Sequence, residues 1–350
     1  MSKAVLLLNL GTPSEPTAKG LREFYRYFFS DPFMFDFNPI GRWILRNLII
    51  LPFRAPRIAK DYEQIWLDDG SPLEVYAKQL QASVQKAFDG EDVVVANAMA
   101  YSKPFVWDAM AELESKGVRE ILLLPMFPQY SSATTESIFH QVEVAAAKWQ
   151  DKPHLKFVSD LFQEQAFIHA WSDHIKKQLN TESVDHVIFS YHGVPEKTIK
   201  KSDKHNVCEF GQCCSEINES NRLCYRAQCV QTTENIVKAL GWDAVDYSVA
   251  FQSRFGPLPW LQPYLDEHLK ELIEKGDKKV AVITPSFISD CLETLFEIGE
   301  EYKHEFMEGG GTAFQLVPNL NNEPVWFASV FEIAKSHLRK LVREEADKAA

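Results

Sequence analysis

The chain has 350 residues, of which 45% are hydrophobic and 25% are charged, and its formal net charge is −12 at pH 7. This composition is typical of a globular protein and leaves little room for long disorder, and the length favours two α/β domains over one. The acidic balance argues against a nucleic-acid partner, because phosphate binding draws on a basic surface. The 24 Phe and 8 Trp residues remain compatible with a flat, apolar ligand.

Short apolar runs that end in Gly, Ser or Pro recur along the chain, and helical-period segments follow them. This pattern is typical of strand–loop–helix units around a parallel sheet. The first run ends within a few residues at Asn9, Gly11 and Pro13, so it indicates a buried strand and not a signal peptide. A cytoplasmic location is therefore expected. The runs predict eight strands, at 5–10, 93–100, 121–124, 156–159, 187–191, 245–251, 280–284 and 314–317.

The second four predicted strands echo the first four, which predicts two Rossmann-like halves. In open parallel sheets ligands bind outside the carboxyl ends of the strands, so the loops there should border one cleft. Laying Gly11-Thr12-Pro13 on Gly193-Val194-Pro195 puts Leu10 opposite His192. The second half thus carries a titratable group where the first carries a hydrophobe, which predicts chemistry at His192. The alternative is a histidine that only forms hydrogen bonds within its loop.

Two carboxylates follow the seventh predicted strand. Glu293 and Glu297 lie at i and i+4 of a predicted helix, so they should share one face and could pass a hard cation or a proton along. Asp290 with Glu293 three residues later also fits a helix N-terminal capping pattern, which needs no catalytic role. Imidazole from His192 and carboxylate from Glu293 together would suit a transient Fe(II) site.

A segment of large apolar side chains, about 24–54, follows the first strand. Arg42 and Arg46 interrupt it well before the ~20 apolar residues that a membrane-spanning helix needs. Aromatic residues mixed with arginines fit a lid over a flat hydrophobic ligand or an interfacial helix on a bilayer. An ordinary helical hairpin packed on its domain is the alternative.

Candidate anion ligands lie at and after the end of this segment. Their side chains are hydrogen-bond donors that could hold carboxylate groups, and they are Arg54, Arg57, Tyr62 and Ser71.

Five of the six cysteines fall within about two dozen residues, in an inserted segment at about 203–229. In a reducing compartment such a group indicates zinc or an iron–sulfur cluster, and four thiolates are enough for either. Their spacing does not decide between the two metals. The cysteines of this segment are Cys208, Cys213, Cys214, Cys224 and Cys229.

Several motifs, in their order along the chain, resemble the ferrochelatase family from residue 5 to about 321. They are Leu7-Leu8-Asn9-Leu10-Gly11-Thr12-Pro13, Gly70-Ser71-Pro72-Leu73, Leu124-Pro125-Met126-Phe127-Pro128-Gln129-Tyr130-Ser131, Phe189-Ser190-Tyr191-His192-Gly193-Val194-Pro195, Phe251-Gln252-Ser253-Arg254-Phe255-Gly256 and Ser289-Asp290-Cys291-Leu292-Glu293-Thr294-Leu295. The resemblance implies the type II chelatase fold, which consists of two similar Rossmann-like domains with parallel sheets and a cleft for the porphyrin between them. The expected domains are 1–165 with about 322–350, and 166–321.

The resemblance also implies the reaction, insertion of Fe(II) into protoporphyrin IX to form protohaem. The family's invariant histidine falls on His192, and its acidic helix falls on Glu293 and Glu297. Residues for the porphyrin and its propionates fall on Arg54, Tyr62, Ser71 and Tyr130. Cys291 stands where relatives often have histidine, and we assign it no role.

Two further properties are implied by the resemblance. A subset of bacterial ferrochelatases carries an internal cysteine segment that binds a [2Fe–2S] cluster, so we expect four of the five clustered cysteines to hold one, with structural zinc as the alternative. The aromatic segment falls on the lip of the porphyrin mouth, which faces the membrane in some members, so peripheral contact with the inner membrane is expected. The sequence predicts no particular oligomeric state. Alternative functions are chelation of coproporphyrin or sirohydrochlorin, and a porphyrin or haem carrier without catalysis.

Overall fold

A computed structural model of the chain describes residues 2–36 and 38–349, with side chains as far as residue 340. Residues 1, 37 and 350, which belong to the predicted first domain, lie outside the described residues. The chain divides into two compact units, of which the first comprises Met1–Phe127, Ser132–Ser159 and Asn322–Ala350, and the second Pro128–Ser131 and Asp160–Asn321. The second unit thus begins near 160, where the sequence placed its start at 166.

Each unit contains a four-stranded, fully parallel sheet. The strand order is β2-β1-β3-β4 in the first unit and β6-β5-β7-β8 in the second, so the two halves share one topology. Every predicted apolar run overlaps an observed strand, which confirms the predicted α/β fold with two similar halves. The strands are β1 Lys3–Asn9, β2 Val93–Met99, β3 Glu120–Pro125, β4 His154–Phe157, β5 His186–His192, β6 Tyr247–Gln252, β7 Lys279–Ile283 and β8 Ala313–Leu316.

Helices connect the strands, as parallel pairing requires. The α-helices are α1 Ala18–Phe28, α2 Pro39–Ile44, α3 Ala55–Ile65, α4 Pro72–Ala87, α5 Val106–Ser115, α6 Ser137–Ala146, α7 Gln165–Gln178, α8 Glu196–Ser202, α9 Tyr225–Leu240, α10 Leu265–Lys275, α11 Lys303–Glu308 and α12 Pro324–Ala349. Three wider π-helices span Leu45–Arg54, Ser132–Glu136 and Glu293–Tyr302, and a short 3₁₀-helix spans Thr181–Ser183. No helix among the described residues is both long and apolar enough to cross a membrane.

The aromatic segment folds as helices that bury one side only. Tyr25 and Phe29 near the end of α1 belong to one buried cluster with Ile50 and Leu51 of the first π-helix. The packed hairpin that the sequence offered as an alternative is therefore present. Other apolar side chains of the same helices are exposed, and Phe53 is 73% exposed.

Two histidines, His186 at the start of β5 and His268 on α10, lie close together in the second unit, at the opposite end of β5 from His192. The Nε2 atom of His186 lies 2.9 Å from the Ser248 hydroxyl, which lies 2.7 Å from Nε2 of His268. Burial lowers the pKa of both His186 and His268. The folded protein therefore binds fewer protons at these two rings than the unfolded chain does. The contribution of the neutral rings to the free energy of unfolding is complete above about pH 6.5 and decreases as the pH drops below that value.

For this reason we expect the urea concentration at the midpoint of unfolding to decrease when the pH is lowered from about 7.5 to about 5.5. The variant His268→Gln removes one titrating ring while keeping a hydrogen-bonding side chain, so its midpoint should depend less on pH. Urea titrations of both proteins at the two pH values measure this. An identical pH dependence in the variant would contradict the assignment.

Candidate active site

His192 is the last residue of β5, at the carboxyl edge of the second sheet, and its side chain is half-buried. Its backbone is held on both sides, because the His192 N–H donates to the Ser286 hydroxyl at 3.2 Å and the Tyr225 hydroxyl donates to the His192 carbonyl at 2.8 Å. The ring of Phe287 lies 6.3 Å from the imidazole, centroid to centroid. The structure therefore places His192 at a strand end, as the sequence predicts.

One hydrogen bond fixes the tautomer of His192. Its Nδ1 atom lies 2.6 Å from the carbonyl oxygen of Gly193. A carbonyl oxygen only accepts hydrogen bonds, so Nδ1 carries the proton in the neutral ring. The Nε2 atom then keeps its lone pair and can act as a base.

Glu293 and Glu297 lie on the π-helix Glu293–Tyr302, and both are half-buried. The helix that the sequence predicts here is present, and it is of the wider π type. Residues four apart remain on one side of the wider π turn, and π turns occur often at functional sites. Burial and the nearby Glu293 carboxylate raise the pKa of the Cys291 thiol.

Residues at the end of β6 form hydrogen bonds both to the helix that carries these carboxylates and to β5, the strand that carries His192. Gln252, which is buried, accepts the Ser190 hydroxyl and donates to the backbone carbonyl of Glu293 at 3.1 Å. The Ser253 hydroxyl donates to Glu297 Oε2 at 2.6 Å. Ser253 has a φ of 63°, a strained value for a non-glycine residue that is typically kept only where the surroundings enforce it. His192, Glu293 and Glu297 therefore belong to one hydrogen-bonded sheet edge.

Asp290 serves the structure and not the chemistry of this edge. Its buried carboxylate accepts hydrogen bonds from Thr294, from both nitrogens of Asn319 and from Asn321. These contacts join the start of the π-helix to the segment after β8. The predicted capping role of Asp290 is wrong, because the N-cap of this helix is Leu292 and no side chain caps it, while Asp290 accepts the Thr294 hydroxyl.

Three predicted porphyrin ligands lie in the first unit. Arg54 ends the first π-helix and Tyr62 lies on α3, with its ring 6.1 Å from that of Trp66. Ser71 is the N-cap of α4, where its oxygen accepts the Glu74 N–H at 3.3 Å, and its side chain is 1% exposed. Capping explains Ser71 without a ligand, so its contact with a propionate stays a prediction.

Tyr130 belongs to the second unit, in the loop after β3. Its backbone N–H donates to Gln228 Oε1 at 2.7 Å, and the neighbouring Gln129 side chain donates to Thr232 at 3.0 Å. Both partners lie on α9, so hydrogen bonds hold this loop against the helix that begins with Tyr225. A contact of Tyr130 with porphyrin stays a prediction.

Four of the clustered cysteines lie near one another. Cys213 and Cys214 have their sulfur atoms 3.7 Å apart, and Cys208 and Cys224 are close enough to these two for the thiols to shift one another's pKa. Cys229 is fully buried in α9. Throughout the chain as described, no three or more histidine, cysteine or acidic side chains form a ready-made metal site.

Neighbouring thiols shift one another's pKa. Burial and the neighbouring thiol of Cys213 raise the pKa of Cys208 to about 11. A hydrogen bond from Cys224 lowers the pKa of Cys214, because it stabilises that thiolate. Cys214 is therefore the first of the group to ionise, and further thiolates are disfavoured while no cation lies among them.

Comparison with known proteins decides the family. The family model of ferrochelatase matches residues 2–338. The chain belongs to the ferrochelatase family. It is 42% identical to the ferrochelatase of Coxiella burnetii (strain Dugway 5J108-111) over 336 residues, which cover 96% of this chain and 94% of that one. It is 39% identical to the ferrochelatase of Legionella pneumophila (strain Corby) over 338 residues, with 97% and 100% coverage.

Solved structures with the same fold as this ferrochelatase family member include two chelatases. A sirohydrochlorin chelatase, SirB from Bacillus subtilis subspecies spizizenii in complex with cobalt, matches with a TM-score of 0.53 at 9% identity and covers 96% of this chain and 95% of its own. SirB from Bacillus subtilis with Fe3+ matches with a TM-score of 0.54 at 10% identity, covering 96% of both chains. At such identities the likeness shows the fold alone. Family membership supplies the reaction: ferrochelatases are lyases that insert iron into a porphyrin.

Sequence reasoning missed several residues of this ferrochelatase site. Gln252 and Ser253 were read only as the end of a strand, and Tyr225 and Ser286 were given no role. Ser253 follows β6 directly and Ser286 comes three residues after the end of β7, so their positions near strand ends are a usable signal. Tyr225 gave none, because it lies 33 residues from the carbonyl that it binds.

Proposed function

We propose that this ferrochelatase inserts Fe(II) into protoporphyrin IX, with His192 as the central catalytic residue. The observation that carries the proposal is the hydrogen bond from Nδ1 of His192 to the Gly193 carbonyl, which leaves Nε2 as a free base at the strand end. Protoporphyrin presents two pyrrole N–H groups in a flat ring, so iron cannot enter until those protons leave. Neutral imidazole is suited to accept a pyrrole proton near neutral pH.

Glu293 and Glu297 complete the proposed reaction centre. Their carboxylates would move protons away from His192 or bring Fe(II) towards the ring, and Fe(II) accepts mixed imidazole and carboxylate ligands. The Ser253 hydroxyl donates to one oxygen of Glu297 at 2.6 Å and so fixes the position of this carboxylate. Apolar side chains of the 24–54 segment would grip the porphyrin and distort it, so that binding energy helps to expose the nitrogen lone pairs.

A comparison of porphyrins tests the choice of substrate. Under anaerobic conditions with Fe(II), we expect kcat/KM to be higher for protoporphyrin IX than for coproporphyrin, with no turnover of sirohydrochlorin. A higher kcat/KM for coproporphyrin would show that coproporphyrin is the substrate instead.

Arg54→Ala and Tyr62→Phe should each raise KM for the preferred porphyrin with little change in kcat, because propionate contacts act on binding.

We also propose that the exposed side of the lip contacts a membrane surface. Ile40 and Phe53 are each 73% exposed and Trp43 is 54% exposed, on one short run of helices that also carries arginines. Apolar side chains with flanking cations suit the interface of an anionic bilayer. Co-sedimentation with anionic lipid vesicles should weaken in Phe53→Glu, and unchanged binding in that variant would contradict the proposal.

We propose that the cysteine segment holds a [2Fe–2S] cluster through Cys208, Cys213, Cys214 and Cys224. Two thiolates on one tetrahedral metal with bonds of about 2.3 Å lie about 3.8 Å apart, and the 3.7 Å separation of Cys213 and Cys214 fits that arrangement. Cys229 is left out because it is fully buried within α9. A bound cluster would supply one-electron redox chemistry.

The purified protein should be brown, with visible absorption that dithionite bleaches. Cys208→Ser and Cys224→Ser should lose this absorption, because each removes one of four thiolates. Cys229→Ser and Cys291→Ser are the matched controls and should retain it. A colourless protein with stoichiometric zinc would support the zinc alternative and contradict the cluster.

A further inference from the structure

The backbone of His192 is held differently from its counterpart in the first unit. There the carbonyl of Leu10 accepts the backbone N–H of Tyr101 at 2.9 Å. Because the two sheets share one register, the position that corresponds to Tyr101 is Ser253, where φ is 63°. In the second unit a side chain supplies the hydrogen bond instead, since the Tyr225 hydroxyl donates to the His192 carbonyl at 2.8 Å.

Two hydroxyl groups hold the backbone of His192. The His192 N–H donates to the Ser286 oxygen at 3.2 Å, and the Tyr225 hydroxyl donates to the His192 carbonyl at 2.8 Å. Tyr225 is only 7% exposed, so water does not readily replace its hydroxyl.

This backbone geometry controls the imidazole. The ring is oriented by the bond from Nδ1 to the Gly193 carbonyl, which belongs to the peptide between Gly193 and Val194. The preceding peptide, between His192 and Gly193, is held at both of its polar groups, because the Tyr225 hydroxyl donates to its carbonyl and its N–H donates to the Gln252 carbonyl at 2.8 Å. A Cβ atom at 193 would come within 2.7 Å of the same Gln252 oxygen. A shift of the His192 carbonyl would rotate the peptide between His192 and Gly193 and so move the Gly193 carbonyl away from Nδ1.

We propose that Tyr225 is a positioning residue for the reaction, which holds the His192 peptide so that Nδ1 carries the proton and Nε2 stays basic. This inference rests on the proposed catalytic role of His192. It assigns the start of α9, directly after Cys224, to the control of the imidazole. Tyr225 itself touches neither porphyrin nor iron in this role.

The variant Tyr225→Phe tests the proposal, because it removes the hydroxyl and keeps the ring. We expect kcat for iron insertion to fall about tenfold or more while KM for the porphyrin changes less than about twofold, as for a misplaced catalytic group. In ¹⁵N-histidine NMR spectra of the porphyrin-free protein, the His192 ring should change from the Nδ1–H tautomer to a mixture of tautomers. The His192 signal is identified by its loss in His192→Ala.

Tyr191→Phe is the matched control, because its buried hydroxyl contacts Thr233 at 2.8 Å and makes no bond to the His192 carbonyl. It should keep the wild-type kcat and tautomer. An unchanged His192 tautomer in Tyr225→Phe would overturn the inference, whatever the activity. A changed tautomer with His192→Ala as active as wild type would support the positioning and contradict the proposed function, so the two failures can be told apart.

Discussion

His192→Ala loses iron insertion and keeps porphyrin binding. The side chain is proposed as the acceptor of the pyrrole protons, and loss of a general base costs about 10²- to 10⁴-fold in rate. The truncation removes the imidazole and leaves the backbone bonds to Ser286 and Tyr225 in place. Anaerobic haem formation measures the rate, and quenching of protein fluorescence by porphyrin measures binding.

His304→Ala is the control for this experiment. His304 lies on α11 of the same unit, with an exposed side chain 3.4 Å from Glu308. Its removal should leave both rate and binding unchanged. Turnover close to wild type in His192→Ala would remove His192 from the central role, and loss of porphyrin binding in the same variant would indicate a binding role instead.

Asp290→Ala destabilises the protein by about 3 kcal/mol, because Asn319 and Thr294 are then left with buried, unpaired polar groups. The carboxylate accepts four hydrogen bonds that join the π-helix to the segment after β8. Its loss should also lower activity, since the same helix start carries Glu293. Urea unfolding of the variant and the wild type measures the free-energy difference.

Asp266→Ala provides the comparison for Asp290. Asp266 pairs with Arg254 at the surface, 2.7 Å apart, where the arginine side chain is 43% exposed. An exposed pair contributes at most about 1 kcal/mol, so this variant should remain close to wild type. Equal losses in the two variants would show that the contacts of Asp290 are no stronger than a surface ion pair.

Most of the fold could be predicted from the sequence because buried parallel strands leave a strong local signal. The run Ala4–Leu8 of β1 is wholly buried, so every position must be apolar. The repeated order of these runs also predicted that Leu10 and His192 occupy corresponding positions. Helix type could not be predicted, because the π turns at 45–54 and 293–302 differ from α turns by one residue of hydrogen-bond spacing.

Many of the hydrogen bonds that hold the site residues in place could not be predicted, because they join residues that are far apart in the chain. Ser253 reaches Glu297 across 44 positions, and the His192 N–H reaches Ser286 across 94. Such pairs depend on which strands become neighbours, which local periodicity does not encode. Ser71 shows the reverse case, since a local capping bond to Glu74 accounts for a residue that the family resemblance assigned to the porphyrin.

Anaerobic turnover tests the central claim, that this chain catalyses iron insertion, most directly. Fe(II) and an excess of protoporphyrin IX over protein are mixed without oxygen, and free-porphyrin fluorescence and haem absorbance are followed together. We expect fluorescence to be lost and haem to be formed over many equivalents per protein molecule. Loss of fluorescence that stops at one equivalent, without haem, would identify a carrier and contradict the proposed catalysis.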